Sequence, residues 1–180
     1  MTAFIPFEEA PAGSAEGRRQ IKCAIGQDSH AFGGYRPLKL GGVLIEGSPG
    51  LSANSDGDVV LHALTNAISG ITGRNILGEP ADQLCRQGVI DSAAYLRLAL
   101  KDFAQIRGKL VHISFSIECK TPKLAPYIEQ MKASVAVLCG IAPSCVGITA
   151  TTGEGLTAFG QGRGIAVMCI LTAAVTEQAE

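Results

Sequence analysis

The middle of the chain carries apolar residues at the spacing of an α-helix. Five of them fall on one helical face: Val60, Leu64, Ala67, Ile68 and Ile71. The polar stretch Ser55–Asp58 directly before them is typical of a helix start, and we expect Ser55 to be the N-cap. Gly70 and Gly73 then mark the end of this predicted helix.

The same spacing predicts two further helices. One covers Ser92–Ile106, and the other covers Ala125–Leu138 and stops at Gly140. The apolar stripe of the first of these contains Leu96, Leu100 and Phe103.

Alternation of apolar and polar positions predicts the strands. The segment Leu110–Glu118 alternates in this way, and four of its residues would be buried: Val111, Ile113, Phe115 and Ile117. Other strands are predicted at Ile21–Gly26, Val146–Thr151 and Ile165–Ala174.

Polar and glycine-containing segments predict the connections. Gln27–Gly34 is expected to be a polar loop, and Gly41-Gly42 is expected to break the extended segment Leu38–Ile45 into a hairpin or bulge. Residues 1–20 show no periodicity and are predicted to be a flexible tail, with one domain at residues 21–180.

The order of elements and the composition agree on a packed domain. Strands alternating with helices predict an α/β fold in α+β layers, in which helices cover a mixed sheet. The chain is 47% apolar and 17% charged, and its 15 basic and 16 acidic residues nearly cancel, so no nucleic-acid or membrane partner is expected. With 22 glycines and no Trp, little bulk is available for a large core, and we expect subunit packing to complete the burial.

The sequence predicts a cytoplasmic protein. No apolar run is long enough to span a bilayer, and the N-terminal stretch lacks the pattern of a secretory signal or an organelle transit peptide. The six cysteines show no C-x-x-C spacing and mostly have apolar neighbours, so we expect reduced, buried thiols.

Three polar residues carry a metal-binding pattern. Asp28 and His30 are two positions apart, so in extended backbone their side chains point to the same side. His62 lies one to two turns inside the first predicted helix. Two histidines and one carboxylate would leave a position of a zinc ion open, which is the catalytic pattern. Spacing alone leaves open a second interpretation, a satisfied polar residue in a helix beside an unrelated Asp-x-His loop.

A ligating histidine commonly donates its other ring N–H to an oxygen acceptor. Asp58 and Asn66 flank His62 at four residues before and after, and either could serve. The third histidine, His112, lies on a mostly polar strand face and is predicted to be solvated.

A second polar cluster, Thr149–Glu154, ends a predicted strand. Its hydroxyls and amides would suit phosphate oxygens, and Glu154 would suit a hard cation such as Mg²⁺, but an ordinary Thr-rich turn fits the same residues. The rigid turn Thr121–Pro126 would present backbone groups to a base or merely start a helix. The glycines of Gly160–Gly164 precede a strand rather than link a strand to a helix, so they are not a dinucleotide fingerprint.

Together these segments resemble the 2-C-methyl-D-erythritol 2,4-cyclodiphosphate synthase family of the non-mevalonate isoprenoid pathway. The resemblance runs from Ile25 to about Val175. It is carried by Ile25–Gly34, Gly41–Val43, Ser55–Thr65, Pro122–Lys123, Gln130–Met131, Ala150–Glu154 and Gly162–Ala166. Several ordered motifs in one short chain make the match specific.

The resemblance implies a zinc-dependent lyase that converts 4-diphosphocytidyl-2-C-methyl-D-erythritol 2-phosphate to the 2,4-cyclodiphosphate and CMP. It implies that Asp28, His30 and His62 bind one zinc ion per subunit, and that Glu154 holds Mg²⁺ or Mn²⁺ on the substrate diphosphate. It also implies a homotrimer with active sites between subunits.

The resemblance further implies a set of substrate contacts. Cys119 and the turn Pro122–Ala125 would frame the cytosine, while Asn54 and Thr152 would act in catalysis. The implied contacts are Asp28, Ser29, His30, Asn54, Ser55, Gly78, Cys119, Pro122, Lys123, Leu124, Ala125, Ala150, Thr151, Thr152 and Glu154.

The chain departs from the family pattern at several positions. Asn54 stands where the family usually has a histidine, and Asn66 stands where it usually has an aspartate. In the segment 74–87 only Gly78 aligns, and Gln161 and Arg163 replace a usual arginine and glutamate. Retained binding with slower turnover is therefore expected. Two alternative functions are a homologue that binds metal and diphosphate without turnover and a zinc phosphohydrolase.

Overall fold

The structure is a computed structural model that describes residues 19–176, and a five-stranded mixed sheet forms its centre. In chain order the strands are β1 (Arg19–Gly34), β2 (Lys39–Leu40), β3 (Val43–Leu44), β4 (Gly50–Leu51), β5 (Lys109–Glu118), β6 (Val146–Thr151) and β7 (Gly164–Thr176), and the α-helices are α1 (Val59–Thr72), α2 (Glu79–Arg86), α3 (Ser92–Gln105) and α4 (Ile128–Cys139). The central sheet has the order β4-β1-β7-β5-β6, in which β5 and β6 are parallel and the other neighbours antiparallel. The predicted α/β fold with a mixed sheet is confirmed.

The two faces of the central sheet differ in what covers them. On one face, side chains of β5 and β7 are buried beneath the helices: Ile113, Phe115, Ile117, Val167, Cys169 and Leu171. The other face, which we call the open sheet face, carries four exposed apolar side chains: Ile21, Ile25, Met168 and Ile170.

The prediction that Val111 is buried is wrong. The pairing of β5 with β7 shifts between Leu110, opposite Ala173, and His112, opposite Thr172. This bulge interrupts the alternation of side chains and leaves Val111 44% exposed. The predicted exposure of His112 is confirmed.

β1 is longer than the sequence predicts. Its backbone pairs with β7 from Arg19, opposite Thr176, to Ala31, opposite Gly164. The prediction of a polar loop at Gln27–Gly34 is therefore wrong, because the ladder to β7 satisfies the backbone hydrogen bonds of most of this polar stretch. The strand also takes up the last two residues of the predicted tail, and the rest of that tail lies outside the described residues.

The N-cap of α1 lies three residues after the predicted one. Asp58, not Ser55, caps the helix, because its carboxylate accepts hydrogen bonds from the backbone N–H groups of Val60 (3.2 Å) and Leu61 (3.1 Å). Gly57, between Ser55 and Asp58, has a left-handed φ of 73°, so the helical backbone starts only beyond it.

α1 lies so close to β1 that a side chain at the crossing point would not fit. A Cβ atom at Gly26 would collide with the backbone of Ala63 and Ala67. This close contact at Gly26 holds the first half of α1 over β1.

α1 ends at Gly73, whose φ of 72° is left-handed, as the sequence predicts. Gly70, which was also predicted to mark the end, lies inside the helix.

The predicted hairpin at Gly41-Gly42 is confirmed. β2 and β3 are antiparallel, and both glycines have positive φ, 59° and 80°. The Asp58 carboxylate accepts hydrogen bonds from the N–H groups of Gly41 (2.8 Å) and Gly42 (2.6 Å). Burial raises the pKa of Asp58 to about 6, and these hydrogen bonds oppose that rise. One buried carboxylate thus joins the hairpin to the start of α1.

The remaining helices differ from the predictions in detail. α3 begins at Ser92 with Asp91 as its N-cap, and a separate 3-10 turn at Ala125–Tyr127 precedes α4. α2 was not predicted. Within residues 19–176, no helix is long and apolar enough to cross a membrane. All six cysteines lie in this range and are free, but only Cys119 and Cys169 are buried, so the prediction of buried thiols is wrong for the other four.

Candidate functional site

Asp28 and His30 lie on β1 with their side chains directed toward the helices. They stand opposite Val167 and Ile165 of β7, which are buried on the helix-facing side of the sheet. The prediction that both side chains point to one side is confirmed, although the backbone is a strand and not a loop. Pairing with β7 therefore fixes both positions.

α1 brings His62 to the same point. His62 Nδ1 lies 2.9 Å from Asp28 Oδ2, and His30 Nε2 lies 3.3 Å from the same oxygen. One ligand atom from each residue lies within 4.8 Å of the other two. His62 is 8% exposed, and the other two are half-buried. The predicted set, which we call the triad, is a possible metal site.

The electrostatics of the triad favour a cation at its centre. Burial raises the pKa of Asp28, but hydrogen bonds from His30 and His62 outweigh burial and hold that pKa well below its ordinary value. The hydrogen bond to Asp28 raises the pKa of His30, against the effect of burial. An ionised carboxylate thus draws both imidazoles toward one point, where a divalent ion would replace the protons they share. Two imidazole nitrogens and a carboxylate oxygen are a ligand set that zinc accepts.

The second ring nitrogen of His62 meets neither predicted partner. Asp58 accepts backbone hydrogen bonds instead, and Asn66 Nδ2 donates to a backbone carbonyl of β1 (3.0 Å). His62 Nε2 lies 2.9 Å from Ser92 Oγ and 3.4 Å from Ser55 Oγ. Ser92 comes from α3, 30 residues along the chain, so helical spacing gave no signal for it.

The triad opens into a cleft of about 330 Å³. Asn54, Ser55 and Gly78, which the resemblance implies as substrate contacts, line this cleft. Residues that the sequence did not predict also line it: Leu77, Ala81, Asp82, Cys85 and Tyr95. Several of these come from α2 and its start. The signal that would have found α2 is Pro80, since proline is favoured in the first turn of a helix.

The other implied substrate contacts gather at the C-terminal ends of the parallel strands β5 and β6. They are Cys119, Pro122, Lys123, Leu124, Ala125, Ala150, Thr151, Thr152 and Glu154, and we call them the strand-end cluster. Thr152 Oγ1 donates a hydrogen bond to Glu154 Oε1 (2.8 Å), and the Gly153 N–H donates to Thr151 Oγ1 (3.2 Å). Burial raises the pKa of Cys119 to about 11, so its thiol keeps its proton at neutral pH.

Within one chain the structure does not bring the strand-end cluster to the triad. Ser29, Ala166, Glu118 and Thr151 form one row across β1, β7, β5 and β6. The outer strands of this row are therefore about 14 Å apart. Because side chains alternate along a strand, this row points away from the face that carries Asp28. Ser29, implied as a substrate contact, is exposed on that other face.

The chain is similar to curated proteins over most of its length. A model of the YgbB family matches residues 21–174. The 2-C-methyl-D-erythritol 2,4-cyclodiphosphate synthase of Chlamydia muridarum (strain MoPn / Nigg) is 45% identical over 155 residues, which cover 84% of this chain and 86% of that protein. The synthase of the same name from Chlamydia caviae is 46% identical over 157 residues, 85% of this chain and 89% of that protein.

Solved structures share the fold. The bifunctional IspDF from Campylobacter jejuni superposes with a TM-score of 0.82 at 31% identity, covering 91% of this chain but 44% of that protein, so the chain spans less than half of it. A 2C-methyl-D-erythritol-2,4-cyclodiphosphate synthase in a CDP-bound form superposes with a TM-score of 0.74 at 30% identity, covering 84% of this chain and 99% of that one. The resemblance stated from the sequence is thus confirmed, and the chain belongs to the YgbB family, that of the 2-C-methyl-D-erythritol 2,4-cyclodiphosphate synthases.

Proposed function

We propose that this protein converts 4-diphosphocytidyl-2-C-methyl-D-erythritol 2-phosphate to 2-C-methyl-D-erythritol 2,4-cyclodiphosphate and CMP. The convergence of Asp28, His30 and His62 in an open cleft carries this proposal. Relatives at 45% and 46% identity bear the name of this synthase, and one structural neighbour bound CDP, a nucleotide with the cytidine and diphosphate parts of this substrate.

The triad would hold zinc with one coordination position open to the substrate. Such an ion supplies positive charge to the phosphate that is attacked. Asp28 is ready for this role because its two histidine neighbours keep its pKa low, so the carboxylate is ionised at neutral pH. β1 and α1, which carry the three ligands, pack closely at Gly26, where the backbones of the strand and the helix are in contact. This contact limits movement of the site.

The cleft residues position the reacting groups. The attacking 2-phosphate is already an anion, so the reaction needs no general base but needs the two phosphates held in line. The Asn54 amide and the Ser55 hydroxyl line the cleft beside the triad and would donate hydrogen bonds to phosphate oxygens. α2 contributes Ala81, Asp82 and Cys85 to the lining of the cleft and would restrict the access of water.

The strand-end cluster of a neighbouring subunit would complete the site. Glu154 would hold Mg²⁺ or Mn²⁺, which would supply positive charge to the substrate diphosphate. Thr151 and Thr152 would contact phosphate oxygens, and Thr152 would stabilise the charge that develops on them. Cys119 and the turn Pro122–Ala125 would frame the cytosine. A second chain is required because, within one chain, this cluster lies across the sheet from the triad.

The open sheet face supports assembly into a homotrimer. Its central residues, Ile25 and Ile170, lie opposite each other on β1 and β7 and are 60% and 53% exposed. A contiguous row of exposed apolar residues marks an interaction surface. Packing of this face against copies of itself would also supply the burial that a chain without Trp lacks.

Placing a charge on this face is expected to break the assembly. Ile170→Asp would bury an unpaired carboxylate between subunits, at a cost large enough to dissociate the trimer into monomers. Turnover should fall as well, because a monomer lacks the strand-end cluster that a neighbouring subunit would supply. Sedimentation velocity should show a fall from three chain masses to one. Val137→Asp is the matched control, because Val137 is 81% exposed on α4 and its variant should stay trimeric. An Ile170→Asp protein that keeps the wild-type mass would contradict the proposed interface.

Restoring a histidine at position 54 is expected to speed the reaction. Asn54 is exposed in the cleft and can donate a neutral hydrogen bond, whereas a protonated histidine would donate a stronger, charge-assisted one. Asn54→His should raise kcat about 10-fold, which corresponds to about 1.4 kcal/mol, and change KM little. Steady-state assays of CMP release should place Asn54→Ala below the wild type. The absence of any gain in Asn54→His would count against a role for this position.

Phosphorus NMR of the zinc-loaded protein with Mg²⁺ and the substrate tests the proposed function. The expected products are CMP and a cyclic diphosphate. Release of free phosphate would instead identify a phosphohydrolase. Unchanged substrate, with zinc bound and the protein folded, would identify a homologue that binds without turnover.

A further inference from the structure

A buried hydrogen-bond chain continues from the triad into the protein. His62 Nε2, the ring nitrogen that faces away from Asp28, lies 2.9 Å from Ser92 Oγ. Ser92 is fully buried at the first residue of α3, and its hydroxyl is also hydrogen-bonded to Asp56 Oδ1. The Ser92 backbone N–H donates to the same carboxylate oxygen (3.2 Å). Ser92 therefore touches both the histidine and a carboxylate that lies outside the cleft lining.

The Asp56 carboxylate is itself held in place. Lys39 Nζ lies 3.1 Å from Asp56 Oδ2 and 3.1 Å from Asp91 Oδ1, so one ammonium group bridges two acids. The backbone N–H of Asp56 donates to the carbonyl of Ile90 (2.8 Å), which lies two residues before Ser92. These contacts anchor the carboxylate beside the start of α3.

The direction of these hydrogen bonds follows from their chemistry. A carboxylate paired with an ammonium group only accepts, so the Ser92 O–H donates to Asp56. The Ser92 oxygen then has only lone pairs to offer and accepts the N–H of His62 Nε2. The other ring nitrogen, Nδ1, 2.9 Å from Asp28 Oδ2, is then the one that would offer its lone pair to a metal ion in the triad, in place of the hydrogen bond to Asp28.

We propose that Ser92, oriented by Asp56, is a positioning residue that fixes the tautomer and the ring orientation of His62 so that Nδ1 is presented to the metal. Mutation of such a hydrogen-bond partner of a metal-ligating histidine typically lowers metal affinity 10- to 100-fold. The inference rests on the metal site of the proposed function. It adds that the sequence pair Asp56 and Ser92, 36 residues apart, belongs to the machinery that holds the ion.

Zinc affinity of the full-length variants tests this role directly. Ser92→Ala is expected to bind zinc about 10- to 100-fold more weakly in a competition titration with a chromophoric chelator. ¹⁵N-edited NMR of histidine-labelled, zinc-loaded protein gives a second measurement that a merely structural role would not change. The Nε2–H proton of His62 should exchange slowly with water in the wild type and faster in Ser92→Ala. Ser92→Thr, which keeps the hydroxyl, should restore both values toward the wild type.

Asp91→Asn is the matched control. It alters the neighbouring residue and the Lys39–Asp91 contact only. The Lys39–Asp56 contact and the Ser92 hydroxyl remain, and asparagine still caps α3, so zinc affinity should stay within about threefold of the wild type. If Asp91→Asn and Ser92→Ala weaken zinc binding equally, or if Ser92→Ala binds zinc with wild-type affinity, the proposed role of Ser92 is overturned, while the metal site itself stands. A wild-type protein that binds no zinc would overturn the proposed metal site as well.

Discussion

Replacing His62 with alanine is expected to abolish stoichiometric zinc binding and to lower kcat/KM by at least about 10³-fold. The change removes a nearly buried imidazole from a set of three ligand atoms that lie within 4.8 Å of one another. The two remaining ligands, Asp28 and His30, come from adjacent same-face positions of one strand, so they approach an ion from one side only. Zinc per subunit after dialysis, together with CMP release, measures both effects.

His112→Ala is the control for this experiment. His112 is exposed on β5 and makes no hydrogen bond to the triad, so its variant should still bind one zinc ion per subunit. Stoichiometric zinc and near-normal turnover in the His62→Ala protein would exclude the triad as the metal site. Loss of turnover with zinc retained would place His62 in catalysis but not in metal binding.

Local signals in the sequence offered Asp28, His30 and His62 as a metal site, and the family resemblance decided for that interpretation. Asp28 and His30 share a face in any extended backbone, and that holds for the strand seen here as it would for an extended loop. His62 was placed by the apolar repeat of α1, which the structure reproduces. The sequence does not show that α1 crosses β1 at Gly26, and this crossing is what brings the third ligand to the other two.

Non-local contacts account for the predictions that were wrong. Ser55 and Asp58 are both good N-cap residues, and the choice of Asp58 depends on the Gly41-Gly42 hairpin, whose N–H groups need an acceptor at that place. The polar partner of His62 could not be predicted from helical spacing because it lies on α3.

The extent of β1 and the exposure of Val111 depend on pairing with β7. A polar stretch such as Gln27–Gly34 gives no apolar alternation, so only its partner strand reveals that it is extended. The bulge before His112 likewise leaves no mark in the sequence of β5 alone. The assignment of the strand-end cluster to the same site rests on the resemblance, because the cluster and the triad lie apart within one chain.

Of the polar substitutions proposed here, removal of the Asp58 carboxylate is expected to destabilise the fold the most. Its two oxygens accept four backbone hydrogen bonds, two from the first turn of α1 and two from the hairpin glycines Gly41 and Gly42. Asp58→Ala removes the helix cap, which is worth about 1 kcal/mol, and leaves the hairpin donors without a partner at about 1–3 kcal/mol each. The free energy of unfolding should therefore fall by about 3–7 kcal/mol.

Urea unfolding at fixed protein concentration measures this loss, with Glu129→Ala as the matched control. Glu129 makes a salt bridge to Lys132 on α4, and the Glu129 side chain is 82% exposed, so its removal should cost at most about 1 kcal/mol. Zinc binding provides the link to function. Because Asp58 caps the helix that carries His62 and also holds the hairpin, a loosened first turn should weaken zinc binding even in the fraction that remains folded. Asp58→Ala protein with wild-type stability and wild-type zinc affinity would mean that the Gly26 contact alone is sufficient to position α1.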